Sequence, residues 1–495
     1  MEDAIASLNT LQSNFAIVDA IRKSGRKMND QAIPEMIGWC RKIGYEPSDL
    51  NALNAIHIAG TKGKGSTAAF TSSILTQFID DKGSSSLSKV GLYTSPHLRF
   101  VRERIQINGR PLSEKQFARY FFEVWDRLEQ AANVAGEDPK APGTKPVYFR
   151  FLTLMAFHTY MSEKVDTAVI ECGIGGAYDS TNIIETPAVT GITSLGIDHA
   201  AILGSTIGEI AWHKSGIMKS GTKCLTPSGQ PEDAKNVMAQ VAQEKGSALE
   251  YVDIDPAIAN GDTKLGLQAD FQKTNASLAV AIAKQFLEQH GYAANDESEQ
   301  KIRRGLETVR WPGRCETRHE PGLRWCIDGG HTLESIELAG KWFASQLATT
   351  KTSSPEPRFL IFNQQTRDAA SLATALFNTL STALHGSHPF THAIFCTNTT
   401  FKETGFRPDL VSVNANTSDV EALKVQKTLA ETWRKIDPPA QVEVVRTIEE
   451  AVSFVREFAS QKPKKGEGEE VTALVTGSLH LVGGFLEVLE SADSE

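Results

Sequence analysis

The sequence lacks long apolar runs, an excess of basic residues and paired cysteine spacings, and each absence excludes a class of protein. No apolar run approaches the ~20 residues that a membrane-spanning helix requires. The formal net charge of -9 argues against a nucleic-acid-binding protein, which needs a basic surface. The six cysteines have no paired or metal-type spacing, so we expect reduced thiols: Cys40, Cys172, Cys224, Cys315, Cys326 and Cys396. We therefore expect a cytoplasmic protein, and a mitochondrial form made from another start codon is left open.

The length of 495 residues predicts two domains, because a single hydrophobic core stops growing below that size. Strand-like and helical segments alternate in both halves, which predicts an α/β fold. Residues 1–310 are predicted to form a P-loop ATPase-like domain with a mostly parallel sheet and flanking helices. Trp311-Pro312-Gly313-Arg314 breaks the helical pattern and marks the boundary. Residues 311–495 are predicted to form a smaller Rossmann-like, doubly wound domain.

A glycine-rich, lysine-containing turn follows the first apolar strand. The order of strand, turn and helix over residues 55–78 is the one that a phosphate-binding loop requires. Glycines allow positive φ, and a helix beginning near Ser66 would direct its positive end toward a bound anion. We expect the nucleotide phosphates to be bound by Thr61, Lys62, Gly63, Lys64, Gly65, Ser66 and Thr67.

This turn departs from the standard P-loop pattern. Ile58 stands where the first glycine should be, and Gly65 stands where the hydroxyl should be. A glycine-rich turn that binds nothing is the alternative. Lys62 and Lys64 would repel each other in one tight loop unless an anion lay between them, which favours phosphate binding.

Three further strands lead to polar side chains, namely Ser95, Glu171 and His199. The carboxyl ends of parallel strands meet at one edge of a sheet, so these side chains can meet at one cation. Glu171 supplies the oxygen that Mg²⁺ prefers, whereas the imidazole of His199 is a softer ligand than usual. A structural role is the alternative for each residue taken alone.

The segment around Ser95 also predicts substrate contacts. We expect Tyr93, Pro96, His97 and Arg104 to bind the substrate, because ligands of α/β proteins bind beyond the carboxyl ends of strands. Arginines in this segment suit carboxylates. A solvated charged loop is the alternative.

The motifs in this order resemble those of the eukaryotic-type folylpolyglutamate synthases, within the wider Mur-ligase family of ATP-dependent amide-forming enzymes. The resemblance runs from Leu8-Asn9-Thr10-Leu11-Gln12 to the segment Thr476–Gly484. It also covers Gly60–Thr67, Tyr93–Leu98, Tyr148–Phe151, Glu171–Asn182, Trp311–Arg314 and Asp328–His331. It accounts for the unusual turn, because this family has Gly-Thr-x-Gly-Lys-Gly-Ser there.

The resemblance implies roles for particular residues. Ser95, Glu171 and His199 would hold Mg²⁺, and Lys214, carbamylated by CO₂, would bind a second Mg²⁺; an ordinary lysine is the alternative. Asn275, Arg314 and Asp328 would contact ATP from the far side of a cleft, with His331 beside them. Lys64, Lys214, Asp328 and His331 are the expected catalytic residues. A monovalent cation is a further expected ligand.

The implied function is ATP-dependent addition of L-glutamate to the γ-carboxylate of tetrahydrofolate and of folylpolyglutamates through an acyl phosphate. A dihydrofolate synthase or another Mur-type amide ligase is the nearest alternative. A non-catalytic P-loop regulator is an alternative from another class. The expected partners are a reduced folate, L-glutamate and ATP, with no nucleic acid and no membrane span, and the expected state is a monomer.

Overall fold

The computed structural model describes residues 1–12, 31–79, 87–141, 143–348, 357–365, 368–386, 388–403, 422–461 and 470–492. The chain divides into two compact units. The first comprises Met1–His97, Val101–Gly266 and Phe271–Arg310, and the second comprises Leu98–Phe100, Leu267–Asp270 and Trp311–Glu495. No helix among the described residues is both long enough and apolar enough to cross a membrane.

The first unit is an α/β layer structure. Its strands are β1 (Ile56–Ala59), β2 (Val90–Tyr93), β3 (Ile105–Ile107), β4 (Arg110–Pro111), β5 (Thr167–Glu171), β6 (Val189–Ile192), β7 (Lys223–Pro227) and β8 (Ala248–Val252). Its helices are α1 (Glu2–Asn9), α2 (Ala32–Lys42), α3 (Lys64–Thr76), α4 (Glu114–Val134), α5 (Tyr148–Glu163), α6 (Ala200–Leu203), α7 (Ile207–Ser215), α8 (Glu232–Lys245), α9 (Pro256–Ala259), α10 (Gln272–Gln289) and α11 (Asp296–Thr308).

The sheet of the first unit has the strand order β4-β3-β2-β5-β1-β6-β7-β8. Pairing is parallel from β2 to β8, and the antiparallel β3 and β4 form one edge. Strands β1, β2, β5 and β6 are buried along their whole length, as expected for a parallel sheet covered by helices on both faces. The carboxyl ends of these four neighbouring strands therefore share one edge of the sheet.

The helix that carries Lys214 begins at a capping box. Thr206 accepts a hydrogen bond from the Glu209 backbone N–H, and the Glu209 carboxylate accepts one from the Thr206 N–H. This reciprocal pair satisfies two backbone donors that the first turn of a helix leaves open. The sequence Thr-Ile-Gly-Glu thus fixes where α7 begins.

The second unit has a six-stranded sheet with the order β13-β12-β11-β14-β10-β9. Its strands are β9 (Glu316–Glu320), β10 (Leu323–Ile327), β11 (Arg358–Phe362), β12 (His392–Phe395), β13 (Gln441–Val444) and β14 (Val471–Thr476). Its helices are α12 (Leu333–Ala348), α13 (Ala369–Ala383), α14 (Lys424–Ile436), α15 (Ile448–Gln461) and α16 (Leu479–Ala492). The predicted α/β fold with two mostly parallel sheets is confirmed, although the sequence did not predict the antiparallel β9.

A buried ion pair joins Leu98–Phe100 to the remainder of the second unit. Arg99 donates hydrogen bonds from Nε and Nη2 to Glu487 Oε2, at 3.0 and 2.7 Å, and a further one to Glu490. The Glu487 side chain is only 3% exposed. Arg99 therefore neutralises a carboxylate that has almost no access to water.

We expect Arg99→Met to destabilise the second unit by about 3 kcal/mol, because it removes the cation that donates two hydrogen bonds to the buried Glu487 carboxylate. Urea denaturation measures the loss. The double variant Arg99→Met/Glu487→Met should recover most of it, and Arg41→Met, which breaks an exposed pair with Glu46, should cost less than about 1 kcal/mol. Equal losses in the single and double variants would contradict this account.

Candidate active site

The loop between β1 and α3 requires glycine at two positions for steric reasons. Gly60 has φ +147° and Gly63 has φ +88°. A Cβ on Gly60 would lie 1.8 Å from Thr193 Oγ1, and a Cβ on Gly63 would lie 2.1 Å from Asn275 Oδ1. The predicted helix start near Ser66 is two residues late, since α3 begins at Lys64.

Two lysine side chains converge on one backbone carbonyl in this loop. Lys64 Nζ donates to Gly60 O at 3.0 Å, and Lys214 Nζ donates to the same oxygen at 2.7 Å. Lys62 instead pairs with Asp198, with Nζ 3.0 Å from Oδ2. The inference that Lys62 and Lys64 need an anion between them is therefore wrong. Asp198 supplies the negative charge next to Lys62.

Lys214 is buried, and burial, together with the nearby charge of Lys64, lowers its pKa to about 7. In a large part of the molecules, the Lys214 amine is therefore neutral near pH 7, whereas the amine of an exposed lysine is charged. A neutral amine has the lone pair that reaction with CO₂ requires, and the carbamate on Lys214 stays a prediction.

The chain after β6 packs along the phosphate loop. The backbone N–H groups of Thr61 and Lys62 both donate to Ser194 O, and the Thr61 hydroxyl donates to Gly196 O at 3.1 Å. These contacts bring Asp198 to Lys62 and fix the start of the segment that leads to His199. His199 itself is exposed and has φ +51° at the N-cap of α6.

Helix α10 covers the other side of the loop. Gln272 Nε2 donates to Ser66 Oγ at 3.2 Å, and Asn275 Nδ2 donates to Gln272 Oε1 at 2.8 Å. Asn275 thus belongs to the first unit and lies against Gly63, so its predicted position across a cleft is wrong. The buried hydroxyls of Thr67 and Thr193 have no hydrogen-bond partner among the described residues, which leaves polar atoms for a ligand at this loop.

Ser95, just beyond the end of β2, lies beside Glu171, the last residue of β5. The Ser95 N–H donates to Glu171 Oε2 at 3.0 Å, and Glu171 is buried. A hydroxyl beside a carboxylate suits Mg²⁺, which binds few protein oxygens and keeps waters or phosphate oxygens as its other ligands. Within the described parts of the chain, no group of three or more His, Cys, Asp and Glu side chains is placed to hold one metal ion. The inclusion of His199 in one metal site with them stays a prediction.

The predicted substrate contacts have different environments. Tyr93 is fully buried and its hydroxyl lies 3.0 Å from Thr153 Oγ1, so its assignment as a substrate-binding residue is corrected to a core role. Arg104 Nε donates to His97 Nδ1 at 3.0 Å, and its guanidinium lies 5.5 Å from the centre of the Tyr148 ring. Pro96 is exposed and follows a cis peptide bond. His97, Arg104 and Pro96 remain candidates.

The glycines after Glu171 make room for protein rather than for phosphate. A Cβ on Gly173 would lie 2.4 Å from the Phe149 ring, and one on Gly176 would lie 2.6 Å from His213 O. Both glycines therefore allow the close approach of other parts of the protein. They bring Phe149 and helix α7 against the turn that follows Glu171.

The predicted residues of the second unit come from two segments that lie in contact, one before β9 and one after β10. Asp328 is buried and accepts hydrogen bonds from the N–H groups of Cys315 and Gly330, at 3.0 and 2.9 Å. Burial raises the pKa of Asp328, and the Arg314 charge opposes that rise. Arg314 lies over Gly329, where a Cβ would be 2.5 Å from Nη1, and His331 Nδ1 lies 2.9 Å from Gly329 O.

Sequence reasoning missed several polar residues beneath the site. The buried His57, Asp179 and Thr181 form hydrogen bonds behind the Glu171 strand, and Gln272 contacts the phosphate loop. A histidine within an otherwise apolar strand was the available signal for His57. Asp179 and Thr181 lie within the motif Glu171–Asn182, whereas Gln272 had no such signal, because its contact with Ser66 joins segments far apart in the sequence.

Fold and site together define a two-sheet α/β protein built around a phosphate-binding type of loop. The chain is 45% identical to a folylpolyglutamate synthase of Neurospora crassa, over 99% of this chain and 92% of that protein. It is 46% identical to a probable folylpolyglutamate synthase of Schizosaccharomyces pombe, over 99% and 94%. The chain belongs to the folylpolyglutamate synthase family.

A solved structure shows the same fold. The Mycobacterium tuberculosis folylpolyglutamate synthase complexed with ADP matches with a TM-score of 0.69 and 24% identity, over 98% of each chain. No protein-family model matches the sequence.

The loop geometry predicts that Gly63→Ala will abolish nucleotide binding while the protein stays folded. The added Cβ would collide with Asn275 and force either the loop or α10 to move. Gly109→Ala is the matched control, because Gly109 also has positive φ, +72°, but no atom within 4 Å of a Cβ. Calorimetric titration with ADP checks the effect, and equal affinities in the two variants would contradict it.

Proposed function

We propose that this protein is an ATP-dependent ligase that adds L-glutamate to the γ-carboxylate of a reduced folate and of folylpolyglutamates. The convergence of Lys64 and the buried Lys214 on the Gly60 carbonyl supports this function best. A nucleotide-binding regulator needs one lysine for phosphate, but it has no need of a second, buried lysine with a depressed pKa. The family relationship over nearly the whole chain supports the same reaction.

The reaction has to activate a poor electrophile. We infer that an oxygen of the folate γ-carboxylate attacks the γ-phosphorus of ATP, so that the bond to ADP breaks and an acyl phosphate forms. The α-amine of glutamate then attacks the acyl carbon, phosphate leaves, and the amine loses a proton as the amide forms. ATP hydrolysis energy is thereby used to make an amide bond in water.

Lys64 and the loop N–H groups are proposed to bind the phosphates during this transfer. Charge spreads over the phosphoryl oxygens in the transition state, and preorganised donors stabilise it without reorganising. The start of α3 adds the positive end of a helix at the same place. Thr67 and Thr193 offer hydroxyls for the phosphates or their waters.

Ser95, Glu171 and His199 are proposed to hold Mg²⁺. When bound, the ion neutralises phosphate charge and orients the transferred group. The pairing of the Ser95 N–H with Glu171 supports the proposal, because it places a hydroxyl-bearing residue beside a buried carboxylate. Asp198 positions the His199 segment through its ion pair with Lys62.

Lys214 is proposed to carry a carbamate. Its neutral nitrogen attacks the carbon of CO₂, the electron pair of one C=O π bond moves to its oxygen to give a carboxylate, and the nitrogen releases a proton to solvent. The product replaces a cation beside Lys64 with an anionic oxygen ligand, which suits a second Mg²⁺. The burial of Lys214 and its depressed pKa support the modification.

For the second unit, we propose that Arg314 and His331 act on nucleotide or substrate and that Asp328 holds the two segments that carry them in place. Both Asp328 oxygens accept backbone N–H groups, which supports a positioning role for Asp328. We also propose a cytoplasmic monomer. The six free, buried cysteines agree with a reducing compartment.

The reaction predicts that ADP release will require a reduced folate and glutamate together. A coupled assay with tetrahydrofolate, dihydropteroate, ATP and glutamate separates the related ligases. Turnover with dihydropteroate alone as acceptor would favour a dihydrofolate synthase, and ADP binding without glutamate-dependent turnover would favour a regulator. Lys64→Ala should abolish turnover in a folded protein.

The carbamate predicts a ¹³C signal on Lys214 when the protein is supplied with ¹³C-labelled bicarbonate. The signal should be strong at pH 8 and weak at pH 6, because the amine is protonated below its pKa of about 7. Lys214→Ala should lose the signal and most activity, with partial rescue by short carboxylic acids. Lys219→Ala is the control, since Lys219 is also partly buried and has a pKa lowered to about 8. A signal that survives in Lys214→Ala would exclude the assignment.

A further inference from the structure

A network of hydrogen-bonded, buried polar side chains joins β1 to the segment that follows β5. None of these side chains has a role in the proposed reaction. His57 Nε2 lies 2.8 Å from Thr181 Oγ1 and 3.1 Å from Cys172 Sγ. Thr181 Oγ1 donates to Asp179 Oδ1 at 2.6 Å. His57, Cys172 and Thr181 are fully buried, and Asp179 is 2% exposed.

The number of protons that these side chains carry determines which group donates each hydrogen bond in this network. Thr181 gives its single hydroxyl proton to Asp179, so the proton between Thr181 and His57 must come from His57 Nε2. Burial lowers the pKa of His57 to about 3, so the ring is neutral, and its hydrogen bond to Thr181 then places the single ring proton on Nε2. A neutral donor, a hydroxyl and a carboxylate in series strengthen one another in a low-dielectric interior.

The network connects β1, the strand that leads into the phosphate loop, to the turn after Glu171. His57 lies in β1, three residues before Gly60. Asp179 Oδ2 accepts the N–H groups of Gly173 and Ile174, at 2.9 and 3.0 Å. The Cys172 N–H, directly after Glu171, donates to Ile58 O at 2.9 Å.

We propose that His57 is a positioning residue that, through Thr181 and Asp179, fixes the turn after Glu171 against β1 and so sets the position of the Glu171 carboxylate relative to the phosphate loop. The inference rests on the proposed function, in which Glu171 binds the Mg²⁺ that accompanies the nucleotide. Side chains behind metal ligands orient those ligands, and their loss weakens metal binding although they never touch the ion.

The test uses two variants, His57→Phe, which keeps a flat ring without Nε2, and Thr181→Val, which removes only the hydroxyl. ADP affinity is measured by calorimetry in Mg²⁺ and in EDTA, and half-saturating Mg²⁺ is measured for ADP release. We expect the Mg²⁺-dependent gain in ADP affinity to fall about tenfold, with the affinity in EDTA unchanged. Should His57→Phe not fold, Thr181→Val carries the test.

Two controls separate positioning from a general loss of stability. His158→Phe and Thr159→Val change a buried histidine and a buried threonine on α5. Both residues lie about 15 Å along the helix from its first residue, Tyr148. They should leave the gain in ADP affinity from Mg²⁺ intact. An equal loss in these controls, or an unchanged gain in the His57 and Thr181 variants, would overturn the proposal.

A double variant shows whether His57 acts through Glu171. If it does, His57→Phe should have little further effect on Mg²⁺ dependence in a Glu171→Gln background. Additive effects would overturn the proposal. If Glu171→Gln itself leaves Mg²⁺ dependence unchanged, the metal assignment in the proposed function fails instead, so the two failures are distinguishable.

Discussion

The rest of the site depends on two hydrogen bonds that the Gly60 carbonyl accepts, one from Lys64 and one from Lys214. Burial of the Lys214 ammonium, together with repulsion from the Lys64 ammonium at the same oxygen, lowers the pKa of Lys214 to about 7. The loop can present this carbonyl only because Gly60 has positive φ and no Cβ, which would collide with Thr193. The protein thus holds positive charge in a place that a phosphate or a carbamate would stabilise.

The parallel sheet explains why distant residues can serve this loop. Strand β1 lies between β5 and β6, and β2 pairs with β5, so the segments that begin with Ser95, Gly60, Cys172 and Ser194 leave the sheet at one edge. Each segment is then fixed by its own contacts: Ser95 to Glu171, Lys62 to Asp198, and Thr61 to Gly196. The sheet supplies the approximate arrangement, and these polar contacts set the positions of the side chains.

The buried carboxylates of the two units follow one rule. Asp179 and Asp328 both accept backbone N–H groups from a neighbouring glycine-containing turn, and burial raises the pKa of each. A carboxylate saturated by backbone donors is better suited to hold a turn than to bind a ligand. Under the proposed function, the groups that bind ligands are neighbours of these turns, Glu171 beside the first and His331 beside the second.

The sequence by itself determined the α/β class, the phosphate loop and the candidates Lys64, Ser95 and Glu171, because apolar periodicity, glycine spacing and motif order are properties of neighbouring residues. The family resemblance added Lys214. Only the tertiary structure decided that Tyr93 belongs to the core, that Asp198 neutralises Lys62, that Asn275 lies against Gly63 and that His57 connects to Thr181. These contacts join residues separated by more than a hundred positions, or depend on burial. Neither is encoded in local spacing, because both arise from how the strands and helices pack.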